Sequence, residues 1–316
     1  MKGVLVVGSV RDIKDLSGIA STVAKIINID SVDSLLLSHS EIRYIDEIRD
    51  LGYEKIYYPE NRTLETPDEI SSAIEFLTRS VDYKFIIGYS SKILKEAFAI
   101  ASQRLYRPLI TDVISVESEG ESMILTRNIM AGRVRSREKV LDKAMILVGV
   151  GRSKPSKISD KKTLIETIKV DIERSLNILE RKPKAAATVR LEEAEIIVSV
   201  GRGFKSKEDL KLAFELAELL GGQIGCSRPI AADLKWLPEE HWVGLSGKKV
   251  RPKLYIALGI SGQPQHIAGI LDSRIIVAVN KDPSAPIFKN ADYGIVGDLY
   301  EFIPVFKEAV KKLYSG

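Results

Sequence analysis

The chain predicts an α/β fold of two domains, each with a mainly parallel sheet, and three observations carry that reading. Short apolar runs rich in β-branched residues alternate with amphipathic stretches from the start of the chain. Such runs read as strands buried on both faces, and strands separated by helices imply parallel crossover connections. Towards the C-terminus three runs stop at polar clusters: Leu254–Leu258 at Gly259-Ile260-Ser261-Gly262, Ile275–Val279 at Asn280-Lys281-Asp282, and Tyr293–Val296 at Gly297-Asp298. Ligands of parallel sheets bind at the carboxyl ends of strands, where these clusters fall. Finally, 316 residues exceed what one core usually organises. The basic, Pro-containing stretch Arg181–Thr188, RKPKAAAT, divides them into residues 1–188 and 189–316.

In the first domain Val4–Gly8 reads as a strand and Leu16–Ile27 as the helix after it. Ser34–Leu37 precedes a helical stretch near Glu41–Leu51. Lys55–Tyr58 precedes Pro67–Arg79, where Thr66 fits an N-cap and Pro67 the first helical position. Phe85–Gly88 leads to a helix at Lys92–Leu105. Ile110–Glu117 and Met123–Ile129 then read as paired strands around Glu119-Gly120-Glu121, and Ala144–Val150 and Thr163–Val170 continue the sheet.

The second domain opens with the strand Glu195–Val200, then Gly201-Arg202-Gly203 and a helix at Lys207–Leu220. Ser206 and Asp209 have the spacing of a capping box, and Gly221 suits the helix C-terminus. A loop-rich span, Gln223–Val250, reaches the three strands already described. Leu299–Leu313 closes the chain as an amphipathic helix.

Composition removes several function classes. The net charge of +4 is the difference between 47 basic and 43 acidic residues, interspersed along the chain, so no nucleic-acid footprint is expected. Cys226 is alone, which excludes an intrachain disulfide and argues against a thiolate metal site. His39, His241 and His266 lack metal-ligand spacing. No apolar run approaches the ~18 residues of a membrane span. The N-terminal run is too short for a signal sequence, so a cytoplasmic protein without membrane insertion is expected.

Several clusters suit a phosphorylated ligand. Glycines at a strand-to-helix turn allow close backbone approach, and Arg202 would add a charge-assisted contact to a pyrophosphate. A tight βα turn alone has the same composition, and Ser206 stands where a dinucleotide fingerprint has its third glycine. Ser261-Gly262-Gln263-Pro264-Gln265-His266 forms a second such turn, with Pro264 near the first helical position. Asn280 and Asp298 each end a strand, as ligand contacts or as turn formers. Lys281-Asp282 reads as a surface ion pair.

These same residues carry a resemblance. Ser261-Gly262 followed by Gln265-His266, then Asn280-Lys281-Asp282-Pro283 and Ala291-Asp292-Tyr293-Gly294, resemble the C-terminal domain of the electron transfer flavoprotein alpha subunit. The likeness extends through Gly201-Arg202-Gly203, Cys226-Ser227-Arg228-Pro229 and Val243-Gly244-Leu245-Ser246-Gly247-Lys248. It is dense from about Glu195 onwards. Before Thr188 it rests on element order, Ile110-Thr111-Asp112 and Ala131-Gly132.

The resemblance implies a Rossmann-like C-terminal domain holding one FAD, with the N-terminal domain contributing heterodimer contacts. It further implies a beta-subunit partner, donor dehydrogenases and a quinone oxidoreductase or other acceptor. By the same resemblance Ser227 contacts the cofactor, Arg228 sits over the flavin, Ser246 hydrogen-bonds its redox-active nitrogen, and His266 lies against the ring. Val243, Gly244, Leu245, Asn280, Asp298 and Leu299 complete the implied FAD contacts. Leu245 stands where the family commonly has an amide side chain, and Gln263-Pro264 replaces a small residue and an aliphatic one. An NAD-dependent enzyme using His266, or a nucleotide-binding regulatory module without flavin, would use the same strand-end crevice.

Overall fold

The run Lys2–Gly8 becomes the first strand, β1, of the computed structural model, which describes residues 2–315 except Glu121, Arg133, 150–152, 171–175, Asn177 and 181–190. Its side chains explain the unbroken apolar run. Val4 and Val6 pack into one core layer and Leu5 and Val7 into another, so both faces of the strand are buried. Each fully buried aliphatic side chain contributes about 2 kcal/mol.

The elements follow as α1 (Val10–Ile26), β2 (Val32–Leu36), α2 (Asp46–Arg49), β3 (Lys55–Pro59), α3 (Pro67–Ser80), β4 (Asp82–Tyr89) and α4 (Lys92–Leu105). Then come β5 (Leu109–Glu119), β6 (Ser122–Ile129), β7 (Val134–Val140), β8 (Ala144–Val148) and β9 (Leu164–Ile168). Their sheet has the order β7-β6-β5-β8-β4-β1-β2-β3-β9; only the pairings of β6 with β5 and β7 are antiparallel.

Several boundaries depart from the sequence expectation. Helix α1 starts at Val10 rather than Leu16, because Ser9 and Asp12 form a capping box: Asp12 N–H donates to Ser9 Oγ (3.2 Å) and Ser9 N–H to Asp12 Oδ2 (3.1 Å). The helix expected near Glu41–Leu51 is a 3₁₀ turn, His39–Tyr44, followed by the single turn α2. No residue of that 3₁₀ turn is buried, so no apolar face favours a longer helix. Strand β7 was not expected. Its alternating charges, Arg135, Arg137 and Lys139, suit a solvated edge strand. Thr66 does cap α3, reciprocally with Glu69. Glu121, Val150 and the expected boundary Arg181–Thr188 lie outside the described residues.

The chain separates into two compact units, Met1–Ile129 with Arg133–Arg181 and Met130–Gly132 with Lys182–Gly316. The second contains β10 (Ile196–Val200), α5 (Lys211–Leu219), β11 (Gln223–Cys226), β12 (Leu254–Leu258), α6 (Pro264–Ile270), β13 (Ile276–Asn280), β14 (Tyr293–Val296) and α7 (Leu299–Ser315). Its sheet is entirely parallel, in the order β11-β10-β12-β13-β14. One core layer joins Val198, Leu258, Leu216 and Ile303, and the other Ile197, Tyr255, Ile267 and Ala278. Two corrections apply. Strand β11 lies inside the span that reads as loop, and a 3₁₀ turn, Glu208–Leu210, stands where the helix was expected to begin. No helix among the described residues is long and apolar enough to cross a membrane.

One buried acid in the first sheet carries a testable consequence. Asp33 on β2 accepts from Tyr83 Oη (2.6 Å) and from Lys55 N–H (3.0 Å). Burial nevertheless raises its pKa from 3.8 to about 6, because the Tyr83 hydrogen bond only partly offsets desolvation and Glu54 adds repulsion. The folded state therefore binds this proton more tightly than the unfolded chain does. Asp33 contributes stability that is fully present below its unfolded pKa and is lost as pH rises through about 6. Urea titrations at about pH 4 and about pH 7 should show Asp33→Asn gaining on the unaltered chain at the higher pH, by at most about 3 kcal/mol. A constant difference between the two proteins would contradict this.

Candidate functional site

The second sheet reverses direction at its centre. From β10 the chain moves to β11 on one side, then to β12 on the other, and continues through β13 to β14. Connections leaving β10 and β12 therefore diverge, and a crevice opens at their carboxyl ends. A cavity of about 550 Å³ lies there.

Backbone contact between two glycine loops sets its base. Gly201 N–H donates to the Leu258 carbonyl (2.9 Å) and Gly203 N–H to the Gly259 carbonyl (3.0 Å). A Cβ on Gly201 would stand 2.3 Å from Gly259 O, and one on Gly203 would stand 2.6 Å from Gly259 Cα. Only glycine allows this approach. Leu299 backs the contact, within 2.9 Å of where a Gly259 Cβ would sit. Arg202, between the two glycines, is exposed and lines the cavity. The helix N-terminus expected directly after this turn lies further on: Phe204 turns into the core, and Ser206 and Asp209 form their capping box around the 3₁₀ turn.

Strand β11 delivers Ser227 and Arg228. Ser227 N–H donates to the Val200 carbonyl (3.0 Å), extending the parallel ladder past Cys226. One π-helical turn, Pro229–Asp233, follows directly, and such turns recur at functional sites. The Arg228 guanidinium carbon lies 5.8 Å from the centre of the Trp242 ring, within reach of a cation–π contact.

The loop Val243–Ser246 is fixed by its backbone. Val243 N–H donates to Cys226 O (2.9 Å), Gly244 N–H to Lys248 O (3.0 Å) and Leu245 N–H to Gln265 O (2.7 Å). The Leu245 side chain is 47% exposed. Opposite, the turn before α6 depends on Gly262 at φ +82°, where a Cβ would lie 2.3 Å from Ile287 N.

His266, on α6, lines the cavity but is only 7% exposed. Its Nε2 meets Tyr255 Oη at 3.0 Å, while Nδ1 has no hydrogen-bond partner. The Val243 backbone lies near enough to favour a charged ring but misses hydrogen-bond geometry, and burial outweighs it, lowering the pKa from 6.5 to about 4. The imidazole is neutral at physiological pH.

Of the residues expected at the site, Arg202, Ser227, Arg228, Val243, Leu245, Ser246, Ser261, Gly262, Gln263, Gln265, His266 and Asn280 line one cavity. Gly244 and Pro264 belong to its loops without lining it, and Asp298 and Leu299 lie outside the lining. The Asn280 amide is taken up internally: Nδ2 donates to Ile260 O (2.9 Å), and Oδ1 accepts from Asp282 N–H (3.0 Å). Asp298 accepts from Tyr300 N–H (2.8 Å) at the start of α7 and pairs with Lys281 (2.8 Å). The Lys281–Asp282 pair read from the sequence does not form, since Asp282 accepts from Ser284 instead. Trp242 and Pro229 also line the cavity, and the sequence reading missed Trp242 because nothing periodic marks it within the loop-rich span.

The lining contains two guanidinium groups and no carboxylate, and neither arginine has an ion-pair partner among the described residues. With the glycine base, the amides of Gln263 and Gln265, and the orphaned Nδ1, the site suits an extended anionic ligand bearing hydrogen-bond acceptors.

Comparison with known proteins bears on the same residues. Residues 190–271 match the family described as the electron transfer flavoprotein FAD-binding domain, and residues 5–173 match the electron transfer flavoprotein domain. The chain is 35% identical to the electron transfer flavoprotein subunit alpha of Thermoanaerobacterium thermosaccharolyticum over 98% of its own length and 92% of that protein's. The corresponding subunit of Bacillus subtilis is 35% identical over 99% of this chain and 98% of that protein. Protein FixB of Escherichia coli O9:H4 is 47% identical over 40% of each chain.

The glycine contact predicts a contrast between two substitutions. Gly201→Ala forces its Cβ against Gly259 O, whereas Gly297→Ala meets nothing within 4 Å. Denaturant titration should show Gly201→Ala destabilised by more than about 2 kcal/mol and Gly297→Ala within about 0.5 kcal/mol of the unaltered chain. Equal stabilities would remove the contact from its structural role.

Proposed function

The chain belongs to the electron transfer flavoprotein alpha-subunit family, and from that membership we propose that the crevice where β10 and β12 diverge holds its FAD. The chain is an electron carrier, not an enzyme acting on a substrate of its own. The observation that carries the site assignment is the pair of arginines, Arg202 and Arg228, that have no ion-pair partner among the described residues, in a cavity whose lining holds no carboxylate. FAD combines a diphosphate with a ring system edged by hydrogen-bond acceptors, which is the chemistry this lining fits.

Bound FAD supplies reversible one- and two-electron chemistry. The residues divide the remaining work. Arg202, at the glycine base, offers charge to the diphosphate, and the adjoining glycines keep side chains out of its way. Arg228, held in part against the Trp242 face, would offer a fixed positive charge to a ring that gains negative charge on reduction. His266 contributes an uncharged ring, so it neither competes with the arginines for the anion nor offers a ready acid. The Val243–Ser246 loop closes one wall through main-chain bonds, leaving Ser246 available to the cofactor and Leu245 in contact with solvent. The reading as an NAD-dependent enzyme is not favoured, because His266 is buried, neutral and already engaged by Tyr255.

The partner we propose is an electron transfer flavoprotein beta subunit, in a heterodimer that receives electrons from dehydrogenases and hands them to an acceptor oxidoreductase. Residues 1–188 would supply subunit contacts and residues 189–316 the FAD site. A beta subunit produced together with the chain should co-purify with it and raise its FAD content; independent elution with unchanged flavin would oppose the heterodimer.

Two measurements test the site. Denaturing the yellow protein should release FAD; recovery of FMN alone, or of no flavin after reconstitution with excess FAD, would overturn the cofactor assignment. Arg228→Ala should retain FAD while lowering its midpoint potential by tens of millivolts, since each ~1 kcal/mol of lost stabilisation corresponds to about 40 mV for one electron. Arg228→Lys should recover part of the shift. Spectroelectrochemical titration decides it, and an unchanged potential at full FAD content would leave Arg228 as a turn residue.

A further inference from the structure

Among the described residues, Tyr255 is the one side chain hydrogen-bonded to His266, and it lies behind the cavity, not on its lining. It is the second residue of β12, the middle strand of its sheet, and is completely buried. Burial raises its pKa well above the ordinary phenol value, so the hydroxyl keeps its hydrogen at any physiological pH. A buried O–H needs an acceptor. Within hydrogen-bond geometry that acceptor is His266 Nε2, at 3.0 Å. Ser199, from the adjacent strand β10, stands near enough to favour charge on the phenol oxygen, yet its own Oγ makes no hydrogen bond.

A neutral imidazole carries one hydrogen, on either nitrogen, and the partner of one nitrogen decides which. Accepting at Nε2 leaves the hydrogen on Nδ1. That nitrogen is buried with no partner in hydrogen-bond geometry, although the Val243 backbone stands near the ring, so an acceptor from a ligand would satisfy it. The ring it belongs to lines the proposed cofactor cavity.

We infer that Tyr255 is a positioning residue: by donating its hydroxyl hydrogen to Nε2 it holds His266 in the Nδ1–H form, leaving one uncharged N–H for an acceptor oxygen of the bound ligand. The inference rests on the reading of the cavity as the FAD site only for the identity of that acceptor, a carbonyl oxygen of the flavin ring. The tautomer itself is a property of the chain alone. Tyr255 thus reaches the cofactor through His266 without touching it, and its hydroxyl, more than its bulk, is what the site uses.

Ring-nitrogen NMR of the full-length protein, labelled at its three histidines, tests this directly, with His266→Gln assigning the signal. In the unaltered protein, with or without FAD, His266 should carry its hydrogen on Nδ1. Tyr255→Phe keeps the aromatic ring and removes only the hydroxyl; it should move the population towards Nε2–H and weaken FAD binding by a factor of about five. A hydrogen on Nε2 in the unaltered protein overturns the inference even if Tyr255→Phe fails to fold. An unchanged tautomer in folded Tyr255→Phe overturns it as well. If the tautomer shifts as stated but neither protein binds FAD, the functional reading fails and the role of Tyr255 in setting the ring stands.

Discussion

The approach of the Gly201–Gly203 turn to the loop after β12 is the constraint on which the second unit depends. Two backbone hydrogen bonds join them, and the positions where side chains would emerge are already filled by backbone atoms. Because this contact falls where the sheet reverses direction, it fixes the two diverging loops against each other. The loop from β11 and the turn into α6 are then added around it. Leu299 wedges behind the contact, tying the start of the last helix to the same point.

Around that base the electrostatics are graded by depth. The two guanidinium groups lie on exposed loops, where their charge remains hydrated until a ligand displaces water. The histidine lies deep and has lost its charge to burial. Behind it stand a phenol and a serine hydroxyl in the strand layer, and the lone thiol of Cys226, itself pushed up to about 12 by burial, is inert there. Charge therefore stays at the mouth and only neutral hydrogen bonding reaches inside. A cavity so arranged attracts an anion without leaving an unpaired charge in the core.

Much of this was legible in the sequence, for definite reasons. Strands buried on both faces write themselves as unbroken apolar runs; Thr66 announced its cap through the proline after it, and Ser206 through a carboxylate three residues on. The glycine turns and the Ser261–His266 turn were visible because turn chemistry is local. What escaped was non-local. Strand β11 exists because β10 offers it an edge, and four residues, QIGC, carry too little pattern to be seen. Strand β7 is charged at alternate positions because it borders the sheet, which reads as a loop. Asp298 looked like a ligand contact, but its carboxylate is absorbed by Lys281 and the start of α7, residues whose proximity only the fold creates. Within the apolar run Leu254–Leu258 nothing sets Tyr255 apart; its partner is eleven residues away on the next helix.

The loop that carries Leu245 shows how such a site can change over evolutionary time. Its path is set by main-chain bonds to Cys226, Lys248 and Gln265, none of which involves the side chain at position 245. That side chain is half in solvent and lines the cavity. Drift at this position therefore alters what the wall of the cavity presents while the architecture beneath stays as it was. Selection can act there on the behaviour of the carrier separately from its folding.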